Sequence, residues 1–266
     1  MAIGVTGCGG RMGRMLLAEI AGTPGCGIAG GIDAKGNAVV GRDLGELAGL
    51  GALGIAAGDD TAALFAAADV VVDFTAPDAT AAHAAQAARS GKPLVIGTTG
   101  LESHHERAVA DAAGKVAIMR AANMSLGVNL LLGLVREVAA KLGNEYDIEI
   151  LEMHHRHKVD APSGTALALG RAAAEGRGVD LAAKSQRARD GITGARKLGD
   201  IGFAVLRGGD VAGDHIVVFA GEGERLELTH RAGSRQIFAR GAVRAARWCV
   251  GRKPGLYGMA DVLGPG

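Results

Sequence analysis

Apolar and polar positions in the first half of the chain switch between two periods. Ala2-Ile3-Gly4-Val5-Thr6 reads as a strand, and the residues after it place Met12, Met15, Leu16 and Ile20 at helical spacing on one face. Residues 27–33 predict a second strand. The unbroken apolar run Val70-Val71-Val72-Asp73-Phe74 predicts a third, of the kind a parallel sheet buries on both faces. A helix over 79–90, a strand over 93–96, a helix over 103–113 and a strand over 116–119 follow. Strand–helix alternation of this sort predicts a doubly wound α/β domain.

After Asn123 the pattern changes. A long helix over about 126–142 leads into a strand over 147–154. From Gly202 onward, 203–206, 215–220 and 225–230 read as antiparallel strands joined by Gly-rich turns. Residues 177–196 are polar enough to form a mobile loop, and a helix over 236–250 is expected to return to the first domain. The pattern thus predicts an α/β protein with a Rossmann-like doubly wound parallel sheet and an inserted α+β domain. The boundaries fall at 1–125 plus 236–266 for the first domain and 126–235 for the second.

Composition narrows the partners. With 29 basic and 28 acidic residues the net charge is +1, which leaves no polycationic footprint for nucleic acid. No helix-turn-helix or basic arm is visible either. Aromatic residues make up only 3%, so the core is expected to be Ala, Val, Leu and Ile. Cys8, Cys26 and Cys249 are odd in number and far apart, which reads as reduced thiols. No apolar run approaches the ~20 residues that span a bilayer, and no leader-like segment opens the chain. A cytoplasmic protein with no membrane partner is expected.

Gly7-Cys8-Gly9-Gly10-Arg11-Met12-Gly13 follows the first strand and opens the first helix. It is a variant of the dinucleotide fingerprint, in which glycines permit a tight turn, let a pyrophosphate reach the backbone and allow close helix–strand packing. Asp33 ends the second strand 20 residues beyond Gly13, where a carboxylate accepts from adenosine ribose hydroxyls. Asp33 would repel a ribose phosphate, which leans towards NADH; Arg11 and Lys35 could reach such a phosphate, so NADPH stays open. Gly97-Thr98-Thr99 and Ala121-Ala122-Asn123-Met124 end two further strands and are expected to line the same crevice, with ordinary strand-to-helix turns as the alternative.

The run Glu152-Met153-His154-His155-Arg156-His157-Lys158-Val159-Asp160-Ala161-Pro162-Ser163-Gly164-Thr165 carries the densest chemistry. It offers imidazoles that move protons near neutral pH, cations for an anionic substrate, and a helix N-terminus at Ser163-Gly164-Thr165 for a carboxylate. In a continuous strand His154 and His155 would point to opposite faces, so both can serve one site only if the strand ends there. No metal is expected: the i, i+1, i+3 spacing of the histidines fits a strand poorly, and Lys158 would repel a cation.

In these motifs the chain resembles the 4-hydroxy-tetrahydrodipicolinate (dihydrodipicolinate) reductases of lysine and diaminopimelate synthesis. The resemblance covers nearly the whole chain and extends to Asp73-Phe74-Thr75, Ile96-Gly97-Thr98-Thr99-Gly100, Gly202-Phe203 and Arg207-Gly208-Gly209-Asp210. It implies NADH- and/or NADPH-dependent reduction of a small cyclic dicarboxylate. It further implies that Gly7, Cys8, Gly9, Gly10, Arg11, Met12, Asp33, Gly97, Thr98, Thr99, Ala121, Ala122, Asn123 and Met124 bind the cofactor. His154 is implied in proton transfer, Lys158 as proton donor, and His155, Gly164 and Thr165 as substrate-binding. The first domain would then bind the dinucleotide, and the second would bind substrate and join a homotetramer through its sheet. Ala34, Ala76 and Met124 depart from residues some members carry, which leaves the cofactor preference open. Arg156, His157 and Arg235 receive no role. An aspartate- or homoserine-type dehydrogenase would share the layout but not the His-rich run. A dinucleotide sensor would hold the cofactor without turning it over.

Overall fold

The computed structural model describes residues 1–264. In chain order the elements begin β1 (Ala2–Thr6), α1 (Arg11–Gly22), β2 (Gly27–Ile32), α2 (Leu44–Ala48), α3 (Thr61–Ala67), β3 (Val70–Asp73), α4 (Pro77–Ser90), β4 (Leu94–Ile96), α5 (Ser103–Ala113) and β5 (Ala117–Arg120). They continue α6 (Leu126–Leu142), β6 (Asp147–His154), α7 (Gly164–Gly176), α8 (Leu181–Lys184), β7 (Ser185–Gln186), β8 (Ile201–Arg207), β9 (Asp214–Ala220) and β10 (Arg225–Arg231). Last come α9 (Gln236–Cys249), β11 (Gly255–Tyr257) and α10 (Met259–Leu263). The chain divides into two compact units, Met1–Ser125 with Gln236–Gly266, and Leu126–Arg235.

The first unit holds a parallel six-stranded sheet in the order β11-β5-β4-β3-β1-β2. An isolated parallel bridge from Ile32 to Gly58 marks where one more strand would join β2. Because helices cover both faces, Ile3, Val5 and Val70 to Val72 are fully buried whichever way they point, and each such side chain contributes about 1.5–3 kcal/mol. On α1 the buried residues are Gly13, Leu16, Leu17 and Ile20, while Met12 and Met15 sit at the margin. The segment between β2 and α3, unassigned by periodicity, is organised by Asp43. Its carboxylate accepts from the N–H groups of Gly45, Glu46, Leu53, Gly54 and Ile55, which hold it below its ordinary pKa.

The second unit is a five-stranded sheet, β10-β9-β6-β8-β7, with α6 and α7 on one face. β6 alternates strictly, burying Ile148, Ile150, Glu152 and His154. β9 is antiparallel to β6 and β10, as the meander pattern predicts, but β8 runs parallel to β6. The reason is the crossover: α7 carries the chain back before β8 begins, and a helical return yields a parallel pair. The polar segment 177–196 is not a loose loop either. Arg196 donates to Asp147, Glu149 and the carbonyls of Ile148, Lys197 and Asp200, and Arg189 grips Glu149 with both terminal nitrogens. Residues 181–186 form α8 and β7, and two arginines, Arg189 and Arg196, tie the exposed stretch that follows to β6.

Candidate active site

In the first unit a cavity of about 530 Å³ opens where Gly7 follows β1 and Phe74 and Thr75 follow β3. The crossovers leave β1 in opposite directions here, to β2 on one side and β3 on the other, which is the switch point at which doubly wound sheets bind ligands. Gly7 has φ +64°, a left-handed conformation that side chains disfavour. A Cβ on Gly13 would lie 2.1 Å from the Gly7 carbonyl oxygen, so only glycine lets α1 approach the turn. Within the loop, the N–H groups of Cys8, Gly9 and Gly10 are already committed to Ile32 O, Asp33 Oδ2 and Gly7 O. No side chain caps α1. The donors left to face an anion are the first-turn N–H groups from Arg11 onward.

Asp33 lines the cavity with Asn37, Lys35 and Asp59. Its carboxylate accepts from Gly9 N, Ala34 N and Asn37 Nδ2, which fixes its orientation and leaves lone-pair capacity for a hydroxyl donor. Such a rim and the uncapped helix fit a dinucleotide. Thr98 is buried, and its hydroxyl accepts from Thr75 N and Thr80 Oγ1, so what it has left to offer is its own proton. Thr99 and Ala122 are exposed, whereas Cys8 and Met124 are buried. Cys8 is buried deeply enough for desolvation, aided by Asp33, to push its thiol up to about 11. Of the predicted cofactor residues, Gly7, Gly9, Gly10 and Asp33 line this cavity. Cys8, Arg11, Met12, 97–99 and 121–124 are not among its lining residues.

In the second unit β6 ends at His154, and the backbone leaves the ladder there, with His155 N donating to Val211 O. His154 is the last residue of the strand's buried face, and His155 belongs to the turn that follows. His154 Nδ1 lies 2.5 Å from Glu152 Oε2. Its Nε2 has no protein partner among the described residues, and Gly213 keeps that side clear, since a Cβ there would sit 3.0 Å from it. Lys158 Nζ reaches Asp160 at 2.7 Å. His155 lies lower in pKa than a free imidazole, first through desolvation and then through Arg235 and the neighbouring cationic side chains. Ser163 caps α7 by accepting from Ala166 N, and open space lies where Gly164 would carry a Cβ.

Four residues of this site, Glu152, Arg207, Ser163 as a cap and His215, carry no role that the sequence alone predicts. Glu152 is 0% exposed and accepts four bonds: from His154, from both terminal nitrogens of Arg207 at 2.8 and 3.0 Å, and from Ser163 N at 3.0 Å. Burial alone would raise its carboxyl, but Arg207, His154 and the Ser163 N–H outweigh that and hold it below its ordinary value. His215, against Ser163 Oγ and edge-on to His154, is driven down to about 4 by burial first and by His154 next, so it is neutral at pH 7. The available signal was period two: an acid and a histidine continue the Ile148–Ile150 face, where a core strand should place hydrocarbon.

Two family models divide the chain: "Dihydrodipicolinate reductase, N-terminus" matches residues 1–124 and "Dihydrodipicolinate reductase, C-terminus" matches 127–263. A 4-hydroxy-tetrahydrodipicolinate reductase of Parvibaculum lavamentivorans is 59% identical over 261 residues, covering 98% of this chain and 96% of the relative. One of Rhodopseudomonas palustris is 56% identical over 264 residues, covering 99% and 97%. The fold is also that of a dipicolinate-bound dihydrodipicolinate reductase from Paenisporosarcina sp. TG-14, with a TM-score of 0.78 at 24% identity over 97% of this chain and 98% of that one.

Proposed function

The chain belongs to the dihydrodipicolinate reductase family and is an oxidoreductase that reduces 4-hydroxy-tetrahydrodipicolinate, via dihydrodipicolinate, with a nicotinamide cofactor in lysine and diaminopimelate synthesis; from this premise we propose how its residues divide the work. The cofactor binds the first unit, with its pyrophosphate at the first turn of α1 and its adenosine ribose on Asp33. The two carboxylates Asp33 and Asp59 outnumber the one cation on the cavity rim, Lys35, and so favour NADH over NADPH. The Thr98 hydroxyl, with its acceptor capacity used, donates to the cofactor. Bound there, the reduced nicotinamide supplies the hydride.

The observation that carries the protonation reading is His154, which is held at Nδ1, open at Nε2, and set on the strand that leads to the N-terminus of α7. The substrate is a small dicarboxylate. Gly164 and Thr165, at the start of α7, receive one carboxylate, and His155 contacts the substrate beside them. Hydride addition builds negative charge on the conjugated carbon–nitrogen framework, and Lys158 and His154 deliver the proton that discharges it. Lys158 is released from Asp160 to do so. The same reading takes the protein as a homotetramer joined through the open sheet face, where Leu151, Met153, Ile216 and Val218 remain half-exposed. Light scattering should return the mass of four chains; a monomer would refute that part.

The test is substrate-dependent oxidation of NADH and NADPH by the wild type and Lys158→Ala, with the substrate made in situ from pyruvate and aspartate semialdehyde. NADH should be oxidised faster than NADPH. Lys158→Ala should keep NADH affinity and lose about 10²-fold in turnover. Wild-type turnover in that variant would remove Lys158 from the donor role.

A further inference from the structure

A proton-transfer histidine needs more than a place; it needs the correct nitrogen to carry the exchangeable proton. Which nitrogen that is depends on the bond made by the other one. Here the other one is Nδ1, and it faces a carboxylate with no solvent exposure. A carboxylate can only accept, so Nδ1 keeps its hydrogen in both protonation states of the ring. The labile proton is therefore confined to Nε2, the atom that Gly213 leaves uncovered.

We propose that Glu152 is the positioning residue of His154, fixing the Nδ1–H tautomer so that its proton moves only at Nε2, and that Arg207 holds Glu152 in place. The inference rests on the reading of His154 as a proton-transfer group. When His154 gives up the Nε2 proton, neutral Nδ1–H imidazole remains, and solvent water returns a proton to Nε2. Glu152 itself exchanges no proton in this step.

The geometry assigns each supporting residue a part. Arg207 is the β8 residue paired in register with His154, and its fork meets both Glu152 oxygens. It also donates to the Asp160 carbonyl at 2.7 Å, so one guanidinium ties the histidine's partner to the turn that carries Lys158. The Ser163 N–H, which donates to Glu152 Oε1, comes from the N-cap of α7. One buried carboxylate thus joins the imidazole, the lysine turn and the substrate helix. A salt bridge kept only for stability would gain little here, since hydrocarbon often replaces a buried ion pair without loss. The four-donor arrangement has a geometric product instead.

The experiment uses the full chain labelled with ¹⁵N-histidine, whose eight imidazoles are sorted by loss of the His154 signal in His154→Gln. The neutral His154 ring should show hydrogen on Nδ1 and a bare Nε2. Glu152→Gln offers an amide that can donate as well as accept, and should give a mixed tautomer. Its turnover should fall about 10²-fold with KM for substrate and cofactor held. Adding Glu152→Gln to His154→Gln should cost far less than Glu152→Gln costs alone, because its effect on turnover runs chiefly through that ring. An Nε2–H tautomer in the wild type overturns the proposal, even if Glu152→Gln fails to fold. So does full turnover in a folded Glu152→Gln, or losses that multiply in the double variant. Wild-type turnover in His154→Gln would instead sink the protonation reading, and the tautomer would still judge Glu152.

Discussion

Each unit buries a carboxylate near the carboxyl end of a strand: Asp73 at the end of β3 and Glu152 near the end of β6. Both lie below their ordinary pKa values despite burial, which acts in the opposite direction in each case. Their surroundings differ. Asp73 places its load on one oxygen, with hydroxyls of Thr6 and Thr75 at 2.7 and 2.6 Å and His83 Nδ1 at 3.4 Å, while Oδ2 has no partner among the described residues. Glu152 fills both oxygens and faces a guanidinium. A carboxylate with a full set of donors and a matched charge is locked, and it can orient what it touches. One held by hydroxyls at a single oxygen shapes its pocket but directs nothing so firmly.

Removing each carboxylate should expose that difference. Glu152→Ala strands Arg207 and His154 and should cost about 3 kcal/mol, at the low end for a broken buried pair because Arg207 keeps some access to water. Amide exchange in β6 would show it. Asp73→Ala should cost less, about 2 kcal/mol, the worth of its charge-assisted hydroxyl bonds. Urea unfolding followed by Trp248, the one tryptophan, reads this in the first unit. Equal losses would mean that the guanidinium adds nothing.

The smallest expected effect is the acid response. Glu152 is depressed in the folded state, so its stabilising contribution is complete above its unfolded value of about 4.5 and fades as pH falls through the lower folded value. Protection of the β6 amides, taken relative to the intrinsic exchange rate at each pH, should therefore fall below pH 4.5, and Glu152→Gln should flatten that dependence. A fall that is unchanged in the variant would place the acid sensitivity elsewhere.

Much of this was legible in the sequence because it follows local rules. The Gly7–Gly13 spacing, the continuous Val70–Val72 run and the period-two burial of β6 each point to one structure. What stayed hidden depends on partners distant in the chain. Arg207 lies 55 residues from Glu152, and no local pattern announces that pairing. The parallel setting of β8 was missed because strand patterning alone does not reveal direction. The N–H groups of Cys8, Gly9 and Gly10 look available in a glycine-rich motif, yet the fold spends them internally.

The proposed dicarboxylate site is the His154–Lys158 turn together with the start of α7. Its most direct test is titration of dipicolinate into the ¹⁵N-histidine-labelled protein in the presence of oxidised cofactor. The His154 and His155 resonances should shift saturably, while those of His104 and His105, on α5 of the other unit, stay in place. Saturable binding that leaves His154 and His155 unmoved would contradict the account.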